Sequence, residues 1–155
     1  MPTANVAECT NAERKRWMGI LARADINALE GAYDALPTAP QYTTLRKPET
    51  GLVMVEARAN GTGRRFNAGE MTVTRCSVRL PDGIVGHAYI AGRSRRHAEL
   101  AAVFDALMQA PEHTQTIGEH VIAPLAAAQD SHRRSVQRKS AATKVDFFTM
   151  VRGED

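Results

Sequence analysis

MTVTRCSVRLPDGIVGHAYIAGRSRRHAELAAVFDALMQ, residues 71–109, decides how this chain folds. Met71 to Leu80 has strand composition, and Pro81-Asp82-Gly83 follows with the residues of a tight turn. Proline sets φ, aspartate bonds the local backbone and glycine takes a positive φ. Ile84 to Ala91 is then the paired strand of a hairpin. Within Met71–Leu80 the alternation slips, because Met71 and Val73 share one parity while Cys76, Val78 and Leu80 share the other. A β-bulge near Thr74 or Arg75 is the expected cause. Gly92 breaks the second strand, and Arg93 to Gln109 is an amphipathic helix with Leu100, Val103, Phe104, Leu107 and Met108 on one stripe, stopped by Pro111.

Upstream of the hairpin, Thr10-Asn11-Ala12-Glu13 reads as a capping box opening a helix that carries Trp17, Ile20 and Leu21. Asp25 is the N-cap expected for a second helix with Ile26, Leu29, Tyr33 and Leu36 at helical spacing, and Pro37 and Pro40 end the helical section. Two strands are expected between that point and the hairpin, Tyr42–Lys47 and Leu52–Arg58. Downstream, His120–Leu125 reads as a short extended piece. Ala126 to Ala142 has helix-forming composition with Val136 as its only large apolar residue. Burial alone cannot hold such a helix. Its alternatives are a solvent-exposed, frayed helix or one docked on another chain. The tail 145–151, VDFFTMV, turns strongly apolar again. The expected architecture is α+β: an antiparallel sheet of about four strands, N-terminal helices, a central amphipathic helix and a long C-terminal helix. One domain over residues 10–152 is expected, with 1–9 as a flexible tail. Residues 126–152 would dock on partners, with Val145, Phe147, Phe148 and Met150 at the interface.

At 155 residues the chain is long enough to bury a substantial core, and 43% hydrophobic with 24% charged residues is the balance of a globular protein. No window approaches the ~20 apolar residues of a membrane span, and the N-terminus lacks a signal-peptide core, so a cytoplasmic location without membrane contact is expected. Cys9 and Cys76 form no CxxC pair and are read as free thiols. His87, His97, His113, His120 and His132 are scattered without HExxH, so no metal site is expected. No GxSxG motif is present, and no catalytic residue can be named.

The charge is unevenly placed. Arg58 to Arg96 holds eight arginines against Glu70 and Asp82, +8 − 2 = +6, and no lysine. Arginine without lysine suits oxyanions, because its planar fork binds phosphate or carboxylate in a bidentate way. Two places stand out. Gly61-Thr62-Gly63-Arg64-Arg65 is either an anion-binding loop or a plain connection between strands. Gly92-Arg93-Ser94-Arg95-Arg96-His97 sets three arginines where a helix N-terminus disfavours cations, a conflict that a bound phosphate would resolve. Gly61, Gly63, Arg64, Arg65, Arg93, Arg95, Arg96 and His97 are therefore the candidate anion-binding or interface residues, with His97 equally readable as a buried helix histidine. Nucleic acid is disfavoured as a partner, since aromatics are only 5% and no strand presents a stacking pair.

Several motifs together resemble a known family. They are Glu49-Thr50-Gly51-Leu52-Val53, Gly61-Thr62-Gly63 with Arg65-Phe66, Ala68-Gly69, Thr74-Arg75, Val78-Arg79-Leu80 and Asp82-Gly83. Gly92-Arg93 with His97-Ala98-Glu99, Asp105-Ala106-Leu107-Met108, Ile122-Ala123-Pro124-Leu125 and the VDFFTMVRG tail continue the set. The chain resembles the PhnG family of phosphonate metabolism over nearly its whole length. The resemblance implies an accessory subunit, inactive alone, of the carbon–phosphorus lyase core complex, assembled with I, H and J type subunits. Its reaction is displacement of adenine from ATP by an alkylphosphonate to give ribose 1-alkylphosphonate 5-triphosphate. It implies ATP and Mg for the complex, no cofactor on this chain, and a phosphorylated nucleotide or phosphonate as the anion. The isolated chain could form a homodimer. The competing reading is a stand-alone RNA- or nucleotide-binding α+β module.

Overall fold

The expected turn at Pro81 is present, and its bonding shows why the chain reverses there. Leu80 and Ile84 are bridged by Leu80 N–H donating to Ile84 O at 2.9 Å, Ile84 N–H donates to Asp82 Oδ1 at 3.0 Å, and Gly83 takes φ 93°. The computed structural model describes residues 10–143. They form α1 (Asn11–Ala22), α2 (Ile26–Asp34), β1 (Thr43–Arg58), β2 (Arg65–Arg79), β3 (Val85–Ala91), α3 (Arg95–Gln109), α4 (Pro111–Ile117) and α5 (Ala123–Ala142). The fold is α+β, with one antiparallel sheet in the order β1-β2-β3.

The sheet has three strands where about four were expected. Tyr42–Lys47 and Leu52–Arg58 belong to one strand, the sixteen-residue β1. Pro48 and Gly51 look like breaks in sequence. In the structure β1 is an edge strand, where a proline's missing N–H costs no ladder bond. The extra residues are absorbed by irregular register between Thr44 and Arg46 and between Arg46 and Glu49.

The bulge expected near Thr74 or Arg75 is absent from that point. From Val73 to Arg79, β2 pairs with β3 without interruption. The parity change has another cause. Thr74, Cys76 and Val78 are buried beneath α3, while Val73, also buried, lies outside the main apolar cluster on the other side of the strand. The irregularity in β2 falls instead at Ala68, where Val55 pairs with Gly69 but Glu56 with Asn67.

Helix α3 is the centre of the core. Leu100 through Met108 are buried without exception, so it is covered all round and not along a single stripe. The sheet can approach this closely because β3 presents Gly86: a Cβ there would lie 2.0 Å from Ala102 O and 2.8 Å from Ala106 Cβ. The opposite side of α3 meets Trp17, Ile20 and Leu21 of α1 and Leu29 of α2. Both N-terminal helices begin as expected. Thr10 and Glu13 exchange a reciprocal capping box, and Asp25 Oδ1 accepts from Asn27 and Ala28 N–H.

One buried carboxylate ties these layers. Asp105 Oδ1 accepts from Trp17 Nε1 at 2.8 Å and Arg14 Nε at 3.3 Å; Oδ2 accepts from Arg14 Nη2 and His87 N–H, each at 2.8 Å. Thus α1, β3 and α3 converge on a single side chain.

His120–Leu125 is not extended. A π-helical turn, Gly118–Ile122, links α4 to α5 in a continuous helical path. Pro124 explains it, because its ring would clash with the carbonyl four residues earlier in a regular helix, and a wider turn relieves this. The first part of α5 is held by buried Leu125 and by Gln129 Nε2, which donates to Ile20 O at 2.8 Å. From Asp130 to Ala142 every residue but Ser135 is exposed. The tail residues Val145, Phe147, Phe148 and Met150 lie outside the described residues, as do 1–9. Among the described residues no helix is long and apolar enough to cross a membrane.

Candidate functional site

The basic stretch separates into two places. Beyond its last contact with β3 at Val73, β2 pairs only with β1, so Leu52–Arg58 and Arg65–Thr72 form a two-stranded ribbon. At ~3.3 Å per residue it runs about 20 Å past the third strand. Gly61 and Gly63 sit at its tip. Gly61 has φ 77°, and Gly63 N–H donates to Ala59 O at 2.7 Å, an approach that leaves a Cβ only 2.6 Å from that oxygen. Both glycines thus have a turn-closing role. Arg64 is exposed at this tip, and Arg65 Nε lies 3.2 Å from Glu56 Oε1 across the ribbon.

Arg93, Arg95, Arg96 and His97 lie at the other end, around the start of α3. Gly92, at φ 94°, turns the chain from β3 toward the helix, and its carbonyl accepts from Thr74 Oγ1 at 2.7 Å. Ser94 is the N-cap, accepting from His97 N–H. Arg93 and Arg95 then share the wall of an open cleft of about 580 Å³ with Thr50, Gly51, Leu52 and Thr72. Neither arginine has a carboxylate partner among the described residues. The first turn of α3 carries no acid either, so helix amides and two guanidinium groups present positive potential on one side.

Arg96 is differently placed. It pairs with Glu99 at 3.0 Å and Glu30 at 3.7 Å, and lies 5.4 Å from the centre of the Tyr33 ring. Glu99 also accepts from Tyr42 Oη at 3.0 Å, and burial with this bond pushes the Tyr42 phenol up to about 12. Arg96 therefore fastens α2 and β1's approach to α3. His97 is 7% exposed and donates Nε2–H to Leu21 O at 2.8 Å, joining α1 to α3.

The net +6 counted between Arg58 and Arg96 is reduced by acids that lie outside that window in sequence. Glu49 accepts from Arg75 at 2.7 Å and also pairs with Arg46, which holds its carboxyl below the usual range. Glu56 and Glu99 meet Arg65 and Arg96 in the same way. Arg58, Arg64 and Arg79 likewise have no carboxylate partner among the described residues, but Arg93 and Arg95 are the pair that lines a common cleft.

Sequence reading did not single out the Asp105 cluster, although an acid within the apolar run of α3 was its signal. Nor did it find the cross-strand pair Ser77 Oγ···His87 Nδ1 at 2.8 Å. That pair is exposed on a flat sheet face, with no carboxylate bonded to the imidazole among the described residues, so it lacks the orienting group of a hydrolytic triad. Among the described residues no three His, Cys, Asp or Glu side chains gather as a metal site.

The family model described as "Phosphonate metabolism protein PhnG" matches residues 12–153. A protein of Rhizobium meliloti (strain 1021), named alpha-D-ribose 1-methylphosphonate 5-triphosphate synthase subunit PhnG, is 46% identical over 144 residues, covering 93% of this chain and 92% of the relative. With the family model matching residues 12–153 and 46% identity across more than nine-tenths of both chains, the chain belongs to the PhnG family.

Proposed function

We propose that this chain is a cytoplasmic subunit of a synthase that displaces adenine from ATP with an alkylphosphonate, giving α-D-ribose 1-alkylphosphonate 5-triphosphate. The observation that carries this is the end-to-end similarity to a relative whose name specifies a subunit of that synthase. In this reading the chain works with I, H and J type subunits, and the Mg and ATP belong to the assembled complex. Its own contribution is an oxyanion seat. A phosphonate or a triphosphate oxygen in the cleft of Arg93 and Arg95 would receive bidentate bonds and the free amides of α3 together, which removes the electrostatic conflict of cations at a helix start. No proton-transfer role is assigned to this chain.

The test is reconstitution with the other synthase subunits, reading adenine release from ATP with methylphosphonate. Omitting this chain is expected to abolish turnover. Arg93→Ala with Arg95→Ala is expected to lower kcat/KM at least tenfold with assembly intact, and undiminished turnover by that variant would reject the oxyanion seat. Full activity without this chain would reject the subunit reading.

A further inference from the structure

Among the described residues, helices pack on one face of the sheet only, and Val73 is buried on the other. Even-numbered residues of β2, from Thr74 to Val78, point toward α3; odd-numbered residues point away. Paired residues share a face, so the uncovered side can be read from the register. At one end it carries Arg79, Arg75 with its partner Glu49, and Arg46 opposite Ser77. Along the ribbon it carries Val53 opposite Met71, Val55 opposite Gly69 and Ala57 opposite Phe66, with no charge among them. Phe66 is 51% exposed and Met71 43%.

A two-stranded ribbon is marginally stable alone in water, and an uncharged apolar face on it adds a desolvation incentive to find cover. We infer that this uncovered face, from Phe66 to Arg79, seats a different subunit of the synthase, one that presents apolar side chains to the ribbon and acidic side chains to the arginine end. The inference rests on the synthase-subunit reading above. Charge selects the occupant. Arg46, Arg75 and Arg79 outnumber Glu49 at the arginine end, so a second copy laid face to face would oppose like charges, whereas an acidic rim complements them. Area agrees: a ribbon about 20 Å long cannot alone supply the ~800 Å² per partner of a stable interface, so the arginine end belongs to the footprint.

The test uses the full chain co-expressed with the other synthase subunits. Val53→Glu with Met71→Glu alters only exposed or half-buried ribbon positions. It is expected to keep the wild-type unfolding temperature and to reduce co-purification at least tenfold. Met54→Glu, on the ribbon's other face, is expected to assemble like wild type. A photo-crosslinking residue at position 66 is expected to trap another synthase subunit, identified by mass, even where a variant folds poorly. Wild-type assembly by the double variant, equal loss in Met54→Glu, or a crosslink to a second copy would each overturn the inference. A wild-type chain that fails to assemble at all overturns the subunit reading itself, which keeps the two failures distinct.

Discussion

Replacing Asp105 with asparagine tests whether one carboxylate holds the helices to the sheet. The swap preserves volume, so no cavity contributes. Each carboxylate oxygen accepts from two N–H donors: Arg14 Nε and Trp17 Nε1 on Oδ1, Arg14 Nη2 and His87 N–H on Oδ2. Whichever way the amide turns, its NH₂ faces two donors. One belongs to Arg14, whose side chain is 28% exposed and can recover water; the other is buried. An orphaned buried donor costs about 1–3 kcal/mol, and loss of the charge that Arg14 meets in a buried pair raises the total toward about 3 kcal/mol. At about 2–4 °C per kcal/mol for a chain of this size, the melting temperature falls by about 6–12 °C. The assay is thermal unfolding followed by circular dichroism, with a urea midpoint at 25 °C. A variant melting within 2 °C of wild type would refute the reasoning, because it would mean the four bonds contribute nothing over water.

Gly86→Ala is expected to destabilise by about 1–3 kcal/mol, read as a lower urea midpoint, since its Cβ meets Ala102 O and Ala106 backbone that no side-chain rotation can clear. Tyr42 gives a pH signature. The fold holds its phenol neutral up to about 12, above the ordinary value of 10, so this contribution is intact below pH 10 and disappears as pH rises through 12. Stability of the wild type is therefore expected to fall more steeply than that of Tyr42→Phe between pH 10 and 12; parallel curves would refute it.

What could be read without coordinates was local. The capping box at Thr10, the Asp25 cap and the Pro81–Gly83 turn each depend on residues within a few positions and formed as expected, and α3 ends at Gln109 as expected but starts at Arg95, two residues after the expected Arg93. Errors arose where the deciding partner was distant. Pro48 breaks a strand unless its N–H side is an edge, and edge status is a property of the sheet. His120–Leu125 reads as extended ahead of Pro124 unless the helix can widen around that proline, which depends on α4 being packed on α3 and α5 on α1. Charge followed the same rule. Counting arginines along the chain overstated the free positive charge, because Glu49, Glu56 and Glu99 are brought to Arg75, Arg65 and Arg96 by strand pairing and by the helix turn.

The same register that neutralises some arginines explains why Arg93 and Arg95 stay without acids. Inward-facing positions beside them on the neighbouring strands are Thr50, Leu52 and Thr72, none of which carries charge. Glu70 and Met54 come next on that face, one pair farther along the ribbon. The nearest acid of the ribbon is thus displaced by a two-residue step, about 7 Å along the strand, from the threonine that lines the cleft. Shifting the β1–β2 register by one residue would exchange the faces, bringing Val53 into the cleft and turning Leu52 and Met54 outward. The cleft and the apolar outer face of the ribbon are consequences of one alignment, so a change that slips this hairpin perturbs both together.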